Sequence, residues 1–187
     1  MTHPAVPSHV PASATPDGDG VVVGAGPVTV DVYIDFLCPF CRHFELSAGD
    51  ALARLVSDGQ ISLAYHPMNF LDAASTTRYS TRAAAASGCA SDGGRFAEYA
   101  HALFVSQPPE GGAGLTDAQL AELAISVGLD GPAFTGCAQR GSYLDWPPYV
   151  TARATARGVQ ATPTVLVNGV PVPASGRMIA RKVARAG

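Results

Sequence analysis

The sequence has no apolar run approaching the roughly 18 residues that a bilayer-spanning helix needs. Its first 20 residues, MTHPAVPSHVPASATPDGDG, also lack the apolar segment of an export signal. Charge is scarce. Asp, Glu, Lys and Arg make up 14% of the chain and leave a formal net charge of −3. The basic residues are almost all Arg and are scattered, apart from a cluster between Arg177 and Arg185, where a helix C-terminus favours cations. This balance excludes nucleic acid and an acidic membrane surface as expected partners. Cysteine occurs only at positions 38, 41, 89 and 137. What is plentiful is hydrophobic side chain, 47% of 187 residues, enough for one core or one core carrying an insertion.

Residues 1–20, rich in Pro, Ala, Ser and Gly, read as a flexible or polyproline-like tether. After them VVV and then VTVDVYIDF give strands, the second alternating Val28, Val30, Val32 and Ile34 against polar neighbours. Pro39 suits the first turn of a helix that should run through Phe44 and Leu52 and end near Gly59. ISLAYH is the next strand. From Leu71 to Gly158 the pattern is helical. It includes the Ala-rich stretch DAASTTRYSTRAAAASGCA and a capping box, Thr116-Asp-Ala-Gln119. Trp146-Pro147-Pro148 is read as a loop before the last helix of this block. Strands return in TPTVLVNGVPVP, where Asn168-Gly169 between apolar runs predicts a tight hairpin, and SGRMIARKVARA closes the chain as a helix. The expected fold is α/β, with a sheet domain formed by residues 21–70 and 159–187 and interrupted by an all-α insertion, residues 71–158.

Cys38-Pro39-Phe40-Cys41 admits four readings. Covalent haem needs His directly after the second Cys, and Arg42 stands there. Zinc needs four ligands, usually from two such pairs, and Cys89 and Cys137 are distant and single, so no metal or cofactor is expected. A structural bridge closing so short a loop would remove little chain entropy. Dithiol exchange remains. It needs a thiolate, and a Cys at a helix N-terminus faces unpaired N–H groups and the positive end of the helix dipole. Cys38 sits at that junction and should attack, while Cys41, one turn further in, should resolve the mixed disulfide. Phe40 brings no charge to the pair, so the helix terminus should be the main cause of a lowered thiol pKa. The dithiol should then oxidise less forcefully than the strongest oxidants of its kind. Arg42 and His43 are expected on the solvated helix surface, and His66 and His101 in packing or surface roles.

Ala161-Thr162-Pro163-Thr164 precedes an apolar strand. A proline there is tolerated at a strand start, and a cis bond would set the Thr162 backbone beside Cys38 for pairing with an extended substrate. Together, the strand ending in DFLCPFCRHFE, the helical block with segments 82–104 and 115–130, and ATPT before VLVNG resemble the DsbA-like thiol:disulfide oxidoreductases. The resemblance covers about Val21 to Gly187. It implies a thioredoxin-like fold with a helical insertion, Cys38 as nucleophile, Cys41 as resolving thiol, and Thr162-Pro163 as a cis-proline pair that binds substrate. One departure stands out. Related proteins often bury an acid six residues before the first Cys, and Val32 occupies that place here. Asp35 lies three before it and is either a stand-in acting through water or a solvated strand end.

Cys89 and Cys137, 48 residues apart and both in the insertion, are expected to form a structural disulfide, the alternative being two buried free thiols. A disulfide places the protein in an oxidising, extracytoplasmic compartment, with an export signal or anchor upstream of this chain. The expected partners are reduced, unfolded or folding proteins and a redox-recycling protein, met by a monomer. Reductase, isomerase, redox sensor and a chaperone-like module for unfolded chains stay open as alternatives.

Overall fold

The computed structural model describes residues 5–186. Strands β1 (Val21–Val23), β2 (Val28–Ile34), β3 (Ile61–Pro67), β4 (Thr164–Val167) and β5 (Val170–Val172) form one sheet in the order β1-β3-β2-β4-β5. β2 lies at its centre, parallel to β3 and antiparallel to β4, with Val30 opposite both Leu63 and Val167. Its alternating valines are buried, as a central strand requires. Helix α1 (Pro39–Ser57) follows β2 and turns Cys41, Phe44, Ala48 and Leu52 inward at helical spacing. α7 (Gly176–Val183) packs beside α1 and against β4 and β5. Asn168 and Gly169 both take positive φ, 48° and 75°, in the two-residue turn that joins Val167 to its partner Val170.

Between β3 and β4 the chain is helical: α2 (Tyr79–Asp92), α3 (Phe96–Val105), α4 (Asp117–Ser126), α5 (Gly131–Gln139) and α6 (Trp146–Ala156). Thr116 caps α4 through the reciprocal bonds with Gln119. Two boundaries differ from the sequence reading. The Ala-rich helix begins only at Tyr79, after a short 3-10 turn at Asp72–Ala74 and a left-handed Arg78. Trp146-Pro147-Pro148 is no loop but the first turn of α6, where prolines lose no hydrogen bond, and the Trp146 indole is fully buried. A single apolar core runs from the sheet into this helical block and includes both Cys38 and Cys41.

The tether reading of residues 1–20 is wrong for the described part of that stretch; its first four residues lie outside the described ones. Pro7, Pro11, Asp19 and Gly20 are buried. Ala14 bridges Val21, and Val22 N–H donates to the Ser13 carbonyl. The Ser8 N–H donates to Asp145, Trp146 Nε1 donates to the Gly18 carbonyl, and Tyr149 donates to that of Asp17. Arg153 and Arg157 clasp Asp17 and Asp19. Buried His66 touches the Asp19 carbonyl at 2.7 Å and Asp31 at 3.0 Å, and stacks on Tyr33. A composition of Pro, Ala, Ser and Gly gives no sign of such docking, because the partners come from helices late in the chain.

Candidate active site

β2 delivers the chain to Asp35, and Asp35, Phe36 and Leu37 are all fully buried before α1 begins. Cys38 caps α1 in extended conformation, its N–H donating to the Asp35 carbonyl at 3.0 Å, and Pro39 occupies the first turn. The Thr162–Pro163 peptide is cis. It sets the Thr162 carbonyl 3.4 Å from Cys38 Sγ, although 124 positions separate the two residues in sequence. Cys41 lies behind, wholly buried, and its Sγ accepts the Asp35 N–H at 3.5 Å. Both cysteines are free thiols, and Phe40 between them is 74% exposed.

The two thiols are driven apart electrostatically. Cys38 is lowered to about 6, first by a hydrogen bond from the Cys41 thiol and further by Thr162 and the N–H groups of Cys41 and Phe40; partial burial opposes this. Cys41 is pushed far up, by burial and then by its hydrogen bond to Cys38. The sequence reading put the helix terminus first among causes. Here the neighbouring thiol leads, Thr162 comes next and the first-turn amides follow.

Asp35 is not a solvated strand end. Its carboxylate accepts from Leu37 N–H at 2.9 Å, Leu71 N–H at 2.9 Å and the Ser80 hydroxyl at 2.6 Å. Burial nonetheless raises it to about 6, with those three donors opposing. Since the folded pKa exceeds that of an unfolded aspartate, near 3.9, the proton's contribution to stability is complete below pH 4 and lost as pH rises through 6. The loss amounts to about 3 kcal/mol. In the oxidised protein, where Cys38 cannot titrate, urea midpoints should therefore fall between pH 4 and pH 7. Asp35→Asn should flatten that fall, and an unchanged slope in the variant would refute the assignment.

Arg42 is exposed, as expected, but makes one further contact. Its guanidinium is tied to the helical block, Nε donating to the Phe104 carbonyl at 3.1 Å, while His43 is exposed as expected. His101 packs against buried Glu45 at 3.1 Å. Gln107 was missed by sequence reasoning altogether. Its side-chain amide donates to the carbonyls of Phe36 and Cys38, each at 3.0 Å. Ser80 and the Leu71 amide were missed too. Cys89 and Cys137 are joined by a disulfide between α2 and α5. Among the described residues no group of three His, Cys, Asp or Glu is arranged to hold a metal ion, and no helix is long and apolar enough to cross a membrane.

The family model described as thioredoxin matches residues 18–178. Reduced DsbA from Mycobacterium tuberculosis superposes with a TM-score of 0.78 at 34% identity, covering 89% of this chain and 91% of that one. The chain belongs to the thioredoxin family as a DsbA-like thiol:disulfide oxidoreductase. Reduced DsbG from the same organism is comparably similar to this DsbA-like enzyme, with a TM-score of 0.79 and 35% identity over 90% of this chain and 87% of that one. The serine/threonine-protein kinase PknE of M. tuberculosis is 41% identical over 135 residues, 67% of this chain. The DsbA-like chain spans only 24% of the length of that curated relative.

Proposed function

We propose that the enzyme exchanges disulfides through Cys38 and Cys41 and runs in the oxidising direction, on reduced, unfolded or folding proteins outside the cytoplasm. The observation that carries this reading is the unequal pair: Cys38 at the mouth of α1 with its pKa lowered to about 6, and Cys41 buried behind it and held protonated. A substrate thiolate attacks Sγ of Cys38 in the oxidised enzyme, and the Cys38–Cys41 bond breaks. Cys41 leaves with the electron pair and takes up a proton. A second substrate thiolate then attacks the substrate sulfur of the mixed disulfide and expels Cys38 as thiolate. The substrate has lost two electrons, and a separate redox partner must take them from the dithiol. The Asp35 backbone N–H donates to Cys41 Sγ, and the carboxyl of the same residue, its pKa raised to about 6, is the proposed source of that proton through a water. An extended substrate segment pairs with the backbone at Thr162, beside Pro163.

Magnitudes favour the oxidising direction. At pH 7 a pKa near 6 gives about thirty times more thiolate than the ordinary 8.5, but basicity lost makes each thiolate roughly tenfold less nucleophilic. Attack therefore gains only a few-fold. The larger effect is on departure: a low-pKa Cys38 leaves a mixed disulfide readily and stabilises the reduced enzyme, which is what makes a dithiol oxidising. The Cys89–Cys137 disulfide supports an oxidising compartment. Ultraviolet titration of the reduced enzyme should show one thiolate appearing near pH 6, absent from Cys38→Ser. A single transition at the ordinary thiol value would end the proposal. The equilibrium constant with glutathione then sets direction: a potential near −120 mV supports an oxidant and one near −270 mV a reductant.

A second reading rests on the kinase match. The likeness to a stretch of PknE favours a redox-sensing module, in which the dithiol reports the state of its surroundings instead of serving many clients. Repeated turnover on an unrelated reduced protein argues for the enzyme acting on clients. A single turnover that resists glutathione recycling argues for the sensor.

A further inference from the structure

The end of α3 is docked onto the active-site loop by more than apolar packing. The Phe104 ring lies against that of Phe36, with centroids 5.1 Å apart. The Phe104 carbonyl accepts both the Arg42 guanidinium and the Gln107 N–H. Gln107 is thereby fixed just beyond the helix, with Pro108 following. From there its Nε2 uses both hydrogens, one on the Phe36 carbonyl and one on that of Cys38, at 3.0 Å each. These two carbonyls flank Leu37 in a segment that is buried throughout, so water competes poorly for them.

We propose that Gln107 is a positioning residue for the dithiol, its side-chain amide neutralising the Phe36 and Cys38 carbonyl dipoles of the active-site loop and holding that loop in the geometry that admits a thiolate at Cys38. The proposal rests on the reading of Cys38 as the exchanging sulfur. The physical reason is one of sign. A carbonyl oxygen carries the negative end of its dipole, and the Phe36 carbonyl and the Cys38 carbonyl, which also accepts the Arg42 N–H at 3.1 Å, disfavour a negative charge on the sulfur more strongly when the Gln107 donors are removed. An amide placed across both removes that penalty, and because its N–H groups are preset they need no reorganisation when the thiolate forms. Cys41 and Asp35 are the titratable groups that interact with Cys38, and neither hydrogen-bonds to the Gln107 side chain. The helical block thus acts on the chemistry of a sulfur it does not touch.

The test compares the reduced full chain with Gln107→Leu, Gln107→Glu and Gln107→Lys, reading the Cys38 midpoint by ultraviolet thiolate absorbance and the equilibrium constant with glutathione. Gln107→Leu removes the donors and should raise the midpoint by about one pH unit, roughly tenfold less thiolate well below it, with a similar tenfold fall in oxidising power. Gln107→Glu should raise it further, since a carboxylate now faces two carbonyls. Gln107→Lys keeps N–H donors and should leave the midpoint at or below the parent value. That order supports the proposal. Equal shifts in Leu and Lys would reduce Gln107 to a structural contact, and no shift in any variant would overturn the idea outright. If Gln107→Leu does not fold, the contrast of Glu with Lys carries the same decision. Cys38→Ser separates this from the underlying reading: a midpoint that persists in that variant faults the choice of sulfur, not the role of Gln107.

Discussion

Cys38→Ser is expected to bring the reactivation of a reduced, denatured disulfide protein down to the rate seen with no enzyme. A serine hydroxyl stays protonated at neutral pH and cannot form the mixed disulfide, so no partial activity is available. Cys41→Ser should behave differently. Its Cys38 can still attack a substrate disulfide, but nothing remains in the protein to resolve the product, so covalent enzyme–substrate adducts should accumulate and be released by added thiol. The pair of outcomes follows from placement: Cys38, 5% exposed, lies 3.4 Å from the Thr162 carbonyl, whereas Cys41 is wholly buried behind it. If Cys38→Ser promotes reactivation as well as the parent, exchange is not the working activity, and the protein is a binding module for unfolded chains. Adducts forming on Cys41 instead would reverse the two roles.

Removing the disulfide in the insertion should have the largest effect on stability. Cys89 and Cys137 close a loop of 48 residues between α2 and α5. In the chain-entropy model such a closure restricts the unfolded state by about 4 kcal/mol. For a chain of this size that corresponds to a fall in Tm of roughly 8 to 16 °C. The Cys89→Ala/Cys137→Ala double variant tests this by urea denaturation with Cys38 and Cys41 kept oxidised. A loss under about 1 kcal/mol would mean that the unfolded chain is already constrained or the bridge contributes little. The same variant should keep the Cys38 midpoint near pH 6, because the bridge shares no hydrogen bond with the dithiol.

Local features were legible where a short stretch contains its own cause. The alternation of β2, Pro39 in the first turn of α1, the Thr116 box and the Asn168-Gly169 turn each depend on neighbours within a few residues. Pro147 and Pro148 misled for the opposite reason: prolines mark a break as readily as a helix start, and burial of Trp146 chose between them. Residues 5–20 misled because their composition resembles that of a linker, while the arginines and the indole that hold them come from α6.

Spacing along one stretch of chain was enough to specify the α/β class with a helical block, the place of the two thiols at a strand-to-helix junction, and the difference between an outer and an inner cysteine. Which groups surround those sulfurs depended on long-range packing. It buried Asp35 under Ser80 and Leu71, brought Thr162 against Cys38, and sent Gln107 from the end of α3 to two carbonyls of the loop. A hydrogen bond to a backbone carbonyl asks nothing of the residue that owns it, so such partners leave no pattern in the sequence until folding closes the distance.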